Sequence, residues 1–231
     1  MKTKYNSLGL ATLVSTFLMA APAHAATLLL DDVEARRVQD TNLDGLGDTT
    51  ALDVLDVGNY GTGDRTHPVF VFRMTGKNPS HIVTTADFTV TQTRPAGTNT
   101  PTFDVVAHVI RTSASSTILV SDFENTAQSL MPNFDNGNQN GGTVSLDSVA
   151  EMTLGTYLNT NWVEGNYVFI TLKNTTYTTA TFFELLRYGN SSTSWAASST
   201  TAQLNVTTTI PEPSAALLGG LGMLALLRRR R

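Results

Sequence analysis

The sequence has 231 residues, no cysteine and a formal net charge of −4 at pH 7. Without cysteine, the chain has neither disulfide bonds nor thiolate metal sites. Residues 26–209 carry 18 acidic and nine basic side chains, a net charge of −9. An acidic surface repels the phosphate backbone, so nucleic-acid binding is not expected.

The first 25 residues have the three parts of a secretory signal peptide. Lys2 and Lys4 form a basic start, residues 8–20 are mostly apolar, and Ala23-His24-Ala25 is a small-x-small cleavage site. We therefore expect a signal peptidase to cut after Ala25; a buried N-terminal helix is the alternative. The segment 26–209 is long enough to form one domain with its own core.

Within this segment, apolar and polar residues alternate over short stretches such as "VFVFRM" and "YVFITL", which turn-forming sequences such as "GKNPS" separate. The pattern predicts an all-β protein, an antiparallel β-sandwich with a jelly-roll-like arrangement, rather than a parallel α/β sheet. The predicted strands are Thr27–Leu30, Leu52–Val57, Pro68–Met74, Phe88–Gln92, Phe103–Arg111, Thr117–Val120, Tyr167–Leu172, Thr181–Leu186 and Gln203–Thr207.

One short helix is predicted at Ser148–Leu158. Asp147 can cap its first turn, and Val149 and Met152 share a face that could be apolar. The stretch Asn133–Gly142 is poor in apolar residues, so we predict an exposed, mobile loop there.

The chain ends with Pro-Glu-Pro, a mostly apolar segment at 215–227 and four arginines. As a helix, the apolar segment would be about 20 Å long at 1.5 Å per residue, short of a hydrocarbon core of about 30 Å. The arginines resist translocation and should stay on the cytoplasmic face, with the tripeptide on the outer side. The two prolines keep that tripeptide extended and accessible.

The tail "PEPSAALLGGLGMLALLRRRR" resembles the PEP-CTERM sorting signal of Gram-negative bacteria. The resemblance implies that residues 210–231 anchor the protein transiently in the inner membrane, and that an exosortase removes them during export to the cell surface or extracellular matrix. The matching positions are Pro211, Glu212, Pro213, Arg228, Arg229, Arg230 and Arg231. A permanent tail anchor is disfavoured by the short span, and nucleic-acid binding by the arginines is disfavoured by the apolar segment directly before them.

The sequence "DTNLDGLGD" has the spacing of a calcium-binding loop. Oxygen ligands can come from positions 1, 3, 5 and 9 and from a backbone carbonyl, while Gly45 permits the sharp turn. The predicted ligands are Asp40, Asn42, Asp44, the carbonyl of Leu46, and Asp48. The twelfth position is Ala51 rather than the bidentate Glu of an EF-hand, and the alternative is a solvated turn. If Ca²⁺ binds, we expect it to be structural.

Motifs of known catalytic centres are lacking in the sequence, so we predict that the protein is not an enzyme. The histidines at 67, 81 and 108 do not have metal-binding spacing, and His108 is more typical of a strand position than of a general base. No G-x-S-x-G motif is present. The acidic residues that could pair in a glycosidase are not singled out by the sequence: Asp104, Asp122, Glu124, Glu151, Glu164 and Glu184.

Several aromatic residues fall in or near predicted loops and strand ends: Trp162, Trp195, Tyr60, Tyr157 and Tyr188. Flat rings present an apolar face to sugar C–H groups while their polar edges stay hydrated. We therefore predict a carbohydrate-binding platform formed by Trp162, Trp195 and Tyr60. The alternative is that these rings pack in the core or at corners, above all Trp162, which precedes the strand "YVFITL".

Segments such as "VGNYGTGDRTHPVFVFRM" and "GNYVFITL" are similar to those of DNRLRE-type carbohydrate-binding modules. The resemblance implies a jelly-roll sandwich that binds polysaccharide or serves as a surface module. We therefore predict an exported surface or matrix protein associated with exopolysaccharide. A structural or adhesive matrix protein without a defined ligand is the second hypothesis, and a polysaccharide hydrolase or lyase is the third.

Overall fold

The computed structural model describes residues 25–51, 55–60, 64–93, 105–135, 142–174, 184–188 and 202–210. Contacts divide the chain into one unit at 26–209 and a second that combines 1–25 with 210–231. The second unit consists of the residues predicted to form the signal peptide and the sorting tail. Apart from Ala25 and Ile210, these residues lie outside the described ones. Within the described ranges, no helix is long and apolar enough to cross a membrane.

The domain consists mostly of antiparallel β-strands, as predicted. The strands are β1 (Ala25–Asp40), β2 (Thr49–Ala51), β3 (Leu55–Tyr60), β4 (Asp64–Arg73), β5 (Ile82–Thr93), β6 (Val105–Ser113), β7 (Gln128–Asp135), β8 (Thr143–Ser145), β9 (Tyr167–Asn174), β10 (Glu184–Tyr188) and β11 (Ala202–Thr209). Among the described residues, the other elements are a helix, α1 (Ser148–Asn161), and a 3₁₀ turn at Val120–Asp122.

The pairings connect the strands in a closed circuit, from β1 through β11, β5, β10, β3 and β4 back to β1. One edge of β4 pairs antiparallel with β1, and its other edge pairs antiparallel first with β3 and then with β9. β6 and β7 extend the sheet beyond β9, also antiparallel. Because β4 lies between neighbours on both edges, it is the central strand of this region.

β4 is buried on both faces, which explains its nearly continuous apolar run. Phe70 and Phe72 point into the main core with Phe88 of β5, whereas Val69 and Val71 belong to a second apolar cluster on the opposite face. This second cluster, here called the outer cluster, consists of Val38, Val69, Val71, Ile110, Ile118, Phe123 and Phe169. Residues 114–127, here called the covering segment, supply Ile118 and Phe123 to it.

The predicted helix is confirmed, but not its apolar face. Asp147 caps α1, with its Oδ1 accepting hydrogen bonds from the backbone N–H groups of Val149 and Ala150 at 3.0 and 2.8 Å. Val149 and Met152 are 65% and 51% exposed. The buried positions are instead Ala150, Leu154, Gly155 and Leu158. The helix packs on β5 through Gly155, where a Cβ would lie 2.7 Å from the carbonyl oxygen of Thr84.

Two other predictions of secondary structure are wrong. Thr117–Val120 is not a strand, because Ile118 is buried in the outer cluster and the chain continues into the 3₁₀ turn. The predicted loop Asn133–Gly142 begins inside β7, where Phe134 and Asp135 are buried. Residues 136–141 of that loop lie outside the described residues.

Candidate functional site

A polar groove of about 410 Å³ lies between α1 and the start of β7. Its lining residues are all uncharged at neutral pH: Gln128, Thr153, Thr156, Tyr157, Thr160 and Asn161. Tyr157 was among the aromatic residues considered for sugar binding, but its combination with the other five was not predicted from the sequence. The helical stripe could have been recognised from the spacing, because residues three and four apart share a helix face, but the position of Gln128 depends on the pairing of β7 with β6.

The three threonines of the groove donate hydrogen bonds to the preceding helical turn. The Oγ1 atom of Thr153 lies 2.9 Å from the carbonyl oxygen of Val149, and that of Thr156 lies 2.9 Å from the carbonyl oxygen of Met152. The Oγ1 atom of Thr160 lies 3.1 Å from the carbonyl oxygen of Thr156. Such bonds use the single donor of each hydroxyl. What the hydroxyls can still offer to a ligand is therefore lone pairs.

The two amides of the groove are also tied to carbonyl groups. Gln128 Nε2 donates to the carbonyl oxygen of Ser129 at 2.9 Å, and Asn161 Nδ2 donates to that of Tyr157 at 2.8 Å. These bonds orient both side chains. They leave the amide oxygens as acceptors, together with one remaining N–H of each group.

Tyr157 supplies the aromatic surface of the groove. Its ring is partly buried against the main core, and burial raises the pKa of its hydroxyl, while a hydrogen bond with Thr112 acts in the opposite direction. A half-buried ring that is held at its hydroxyl can offer an apolar face to a sugar ring.

Of the three predicted aromatic platform residues, only Trp162 has a described side chain. It lies at the end of α1, partly buried against the main core, and its Nε1 donates to Glu164 Oε2 at 3.1 Å. The same carboxylate accepts from the backbone N–H of Gly76 at 2.6 Å. Tyr60 ends β3, but its side chain is not among the described ones, and Trp195 lies outside the described residues.

The predicted calcium loop joins β1 to β2. Asp40 at its start is fully buried, and its Oδ2 accepts from the backbone N–H of Gly45 at 2.9 Å and lies 3.9 Å from Arg65 Nη1. Its Oδ1 is buried and has no hydrogen-bond partner among the described residues. Gly45 has a φ of +89°, as the sharp turn requires.

The other loop side chains accept hydrogen bonds from the loop itself. Asn42 Oδ1 accepts from the N–H of Asp44, and Asp44 Oδ1 accepts from that of Leu46, both at 2.9 Å. Asp48 Oδ2 accepts from Thr41 N and Oγ1 at 2.8 and 2.7 Å, which lowers the pKa of Asp48. Nowhere in the described ranges do three carboxylate or imidazole groups converge as a ready metal site.

The loop rests on the covering segment. A Cβ on Gly47 would lie 2.0 Å from the carbonyl oxygen of Val120 and 2.8 Å from the Cβ of Phe123. The backbone N–H of Gly47 also points to Glu124 Oε2 at 3.4 Å. The loop and the covering segment are therefore one packed unit above the outer cluster.

A group of titratable side chains lies beside this unit. His67 is buried and stacks on Phe123, with ring centroids 4.1 Å apart, and burial lowers its pKa well below the usual value. His108 lies in β6, as predicted, and burial next to Lys173 lowers its pKa to about 4. Burial also lowers the pKa of Lys173 to about 8, and its Nζ donates to the carbonyl oxygen of Asn125 at 2.8 Å.

Two of the acidic residues considered for glycoside hydrolysis have structural partners. Asp122 is fully buried and bound to Arg111, and Glu164 bridges Trp162 and Gly76. Glu124 contacts Gly47, and Glu151 lies in the first turn of α1. Asp104 and the side chain of Glu184 are outside the described set.

No protein-family model matches the chain, and no curated protein matches it.

Proposed function

We propose that this chain is an exported protein of the cell surface or extracellular matrix, whose β-sandwich body, with a jelly-roll-like arrangement, binds polysaccharide. The export part of the proposal rests on the sequence: a signal peptide at 1–25 and the Pro-Glu-Pro, apolar and arginine parts at 210–231. Signal peptidase and an exosortase are the processing partners. The inner membrane holds the protein only until the tail is removed.

The observation that carries polysaccharide binding is the groove along α1. An open groove that combines one half-buried tyrosine ring with amides and hydroxyls matches the surface of a sugar chain, which has apolar C–H faces and hydroxyl edges. The acidic body does not favour a phosphate or nucleic-acid ligand. No catalytic step is proposed, since the groove is lined by uncharged side chains.

Affinity electrophoresis of the 26–209 segment, expressed as the mature protein in gels that contain soluble polysaccharides, tests this function. We expect retardation by at least one polysaccharide and its loss in Tyr157→Ala and Gln128→Ala, with unchanged far-ultraviolet circular dichroism. Leu119→Ala is the matched control, because it shortens an exposed apolar side chain on the covering segment. If Tyr157→Ala and Gln128→Ala are retarded as strongly as the control and the unmodified protein, the groove is not the binding site.

The same gels distinguish the alternative site. Trp162, Trp195 and Tyr60 remain the proposed aromatic platform if Trp195→Ala or Tyr60→Ala abolishes retardation while Tyr157→Ala does not. Retardation by no polysaccharide supports the structural or adhesive hypothesis. Release of reducing ends or a fall in viscosity of the polysaccharide would support a hydrolase or lyase.

We also propose a structural Ca²⁺ in the loop of residues 40–48. The supporting observation is the buried Oδ1 of Asp40, which lacks a hydrogen-bond partner among the described residues. A hard cation with oxygen ligands would neutralise such an atom. Because the loop side chains accept bonds from their own backbone, binding requires Asn42 and Asp44 to turn toward Asp40.

A further inference from the structure

We infer that the groove along α1 selects a neutral, hydroxyl-rich glycan over an acidic one, and that the sugar chain lies parallel to the helix. The inference rests on the proposed function, since it names the ligand class of the same groove.

The direction of the threonine hydrogen bonds favours a ligand that donates hydrogen bonds. Each of Thr153, Thr156 and Thr160 donates its hydroxyl hydrogen to a backbone carbonyl group one turn earlier. A hydroxyl has one hydrogen to donate and two lone pairs. The threonine row therefore presents acceptors to the groove, and acceptors bind ligands that donate.

The lining of the groove contains no cationic side chain. Gln128 and Asn161 each use one amide hydrogen on a protein carbonyl group and keep only one N–H, and none of the six lining side chains is Lys, Arg or His. A carboxylate or sulfate on a sugar needs cations or several N–H donors to offset its lost hydration. A neutral sugar hydroxyl can donate to the threonine and amide oxygens without that cost.

The length of the threonine row fits a short stretch of sugar chain. Residues 153, 156 and 160 lie on one helix face, and seven residues span about 10 Å at a rise of 1.5 Å per residue. That length is comparable with two linked sugar rings. A sugar chain parallel to α1 can therefore bring successive hydroxyls to successive threonines, with Tyr157 on the same helix face and Gln128 contributed by β7.

One polysaccharide backbone in three chemical forms tests the inference. A panel of soluble neutral glycans identifies the one that retards the protein most, and that glycan is then compared with its O-methylated and carboxymethylated derivatives. O-methylation removes the hydroxyl donors, so we expect at least tenfold weaker binding. Carboxymethylation adds charge, and we expect a similar loss.

Salt separates the groove from the charge of the whole body. Repulsion between the acidic domain and a carboxymethylated glycan is screened at 0.5 M NaCl, where the Debye length is only a few ångströms. A mismatch inside the groove is not screened in this way. We therefore expect the carboxymethylated glycan to remain at least tenfold weaker at 0.5 M NaCl.

Thr156→Val and Thr156→Ser form a matched pair of variants. Valine has nearly the shape of threonine without its oxygen, whereas serine keeps the hydroxyl. We expect three- to tenfold weaker binding for Thr156→Val and near-normal binding for Thr156→Ser, with equal melting temperatures. Binding of acidic glycans at 0.5 M NaCl, unaffected by Thr156→Val, would overturn the inference and leave polysaccharide binding intact. Retardation by no glycan would overturn both.

Discussion

The guanidinium group of Arg111 holds both carboxylate oxygens of Asp122, with Nε 2.8 Å from Oδ1 and Nη2 2.9 Å from Oδ2. Arg111 belongs to β6 and Asp122 to the 3₁₀ turn of the covering segment. The same guanidinium lies 3.7 Å from the ring centroid of Phe169, and Asp122 Oδ2 accepts from the backbone N–H of Leu119 at 2.9 Å. The pair thus fastens the covering segment to the sheet.

Replacement of Asp122 by alanine should strongly destabilise the domain. Asp122 is fully buried, and its removal leaves Arg111 without its carboxylate partner and the N–H of Leu119 without an acceptor. Breaking one side of a buried pair costs about 3–5 kcal/mol. Urea unfolding measures the loss. Glu34→Ala breaks the more exposed pair with Arg36 and should cost at most about 1 kcal/mol; equal losses in the two variants would contradict this account.

Gly47 should tolerate substitution far less well than Gly45, two positions away. A Cβ at Gly47 would meet the backbone oxygen of Val120 at 2.0 Å, and that oxygen cannot move without the covering segment. Gly45 has open space but a φ of +89°, which asparagine tolerates better than most residues. We expect Gly47→Asn to lower the free energy of unfolding by about 1–3 kcal/mol and Gly45→Asn to lower it by less than about 1 kcal/mol. Melting curves of the two variants give the comparison, and the reverse order would contradict the packing described for Gly47.

The sequence predicts the strands that are buried on one or both faces, because their residue pattern follows directly from the sheet. The run "VFVFRM", most of which lies in β4, is an example. The Asp147 cap of α1 is also a local feature that the sequence predicts. β7 is not predicted in this way, because Pro132 and Asn133 interrupt its residue pattern and Asn133 has a φ of +56°. The pairing of β6 with β7 shifts register at two places, so alternation does not persist.

Long-range contacts explain the other differences. The residues Thr117–Val120 have strand propensity, but the bonds of Arg111 to Asp122 and to the carbonyl oxygen of Thr117 hold them as a cover over the outer cluster. Gly155 packs against β5, and this contact determines which face of α1 is left exposed. The groove is formed by residues of that helix and by Gln128 of β7, and no local sequence pattern predicts that these two segments lie together.

Stability should fall as the pH drops from 6.5 toward 4. His67 and His108 both have lowered pKa values because they are buried near Lys173, and the pKa of His108 is about 4. In this window the unfolded chain binds more protons than the folded one, so unfolding is favoured by acid. The melting temperature at pH 7 and at pH 5 measures the effect. His108→Gln removes one titrating group and should reduce the difference; an unchanged pH dependence would exclude His108 as a contributor.

The Pro-Glu-Pro motif should be required for processing of the tail. Replacement of both Glu212 and Pro213 by alanine removes the charge and part of the rigidity of the extended tripeptide. We expect this variant to accumulate with its tail in the inner-membrane fraction of the native host, at a higher mass than the released protein. Ser214→Ala, next to the motif, should be processed normally. Release of the double variant at the normal rate would count against sorting by this signal.

Calcium should stabilise the domain through the loop of residues 40–48. Extracellular calcium modules have dissociation constants of about 10⁻⁴–10⁻³ M, so 10 mM Ca²⁺ would add about 1.4–2.7 kcal/mol to the free energy of unfolding. The stabilisation should extend to the covering segment, because Gly47 rests on Val120 and its N–H faces Glu124. Chelation should therefore lower the melting temperature, and Asp44→Ala should abolish that response, whereas Asp31→Ala, at an exposed position of β1, should keep it. An identical melting curve with and without chelator would show that the loop is a hydrogen-bonded turn, in which Arg65 lies near the Asp40 carboxylate without a bound cation.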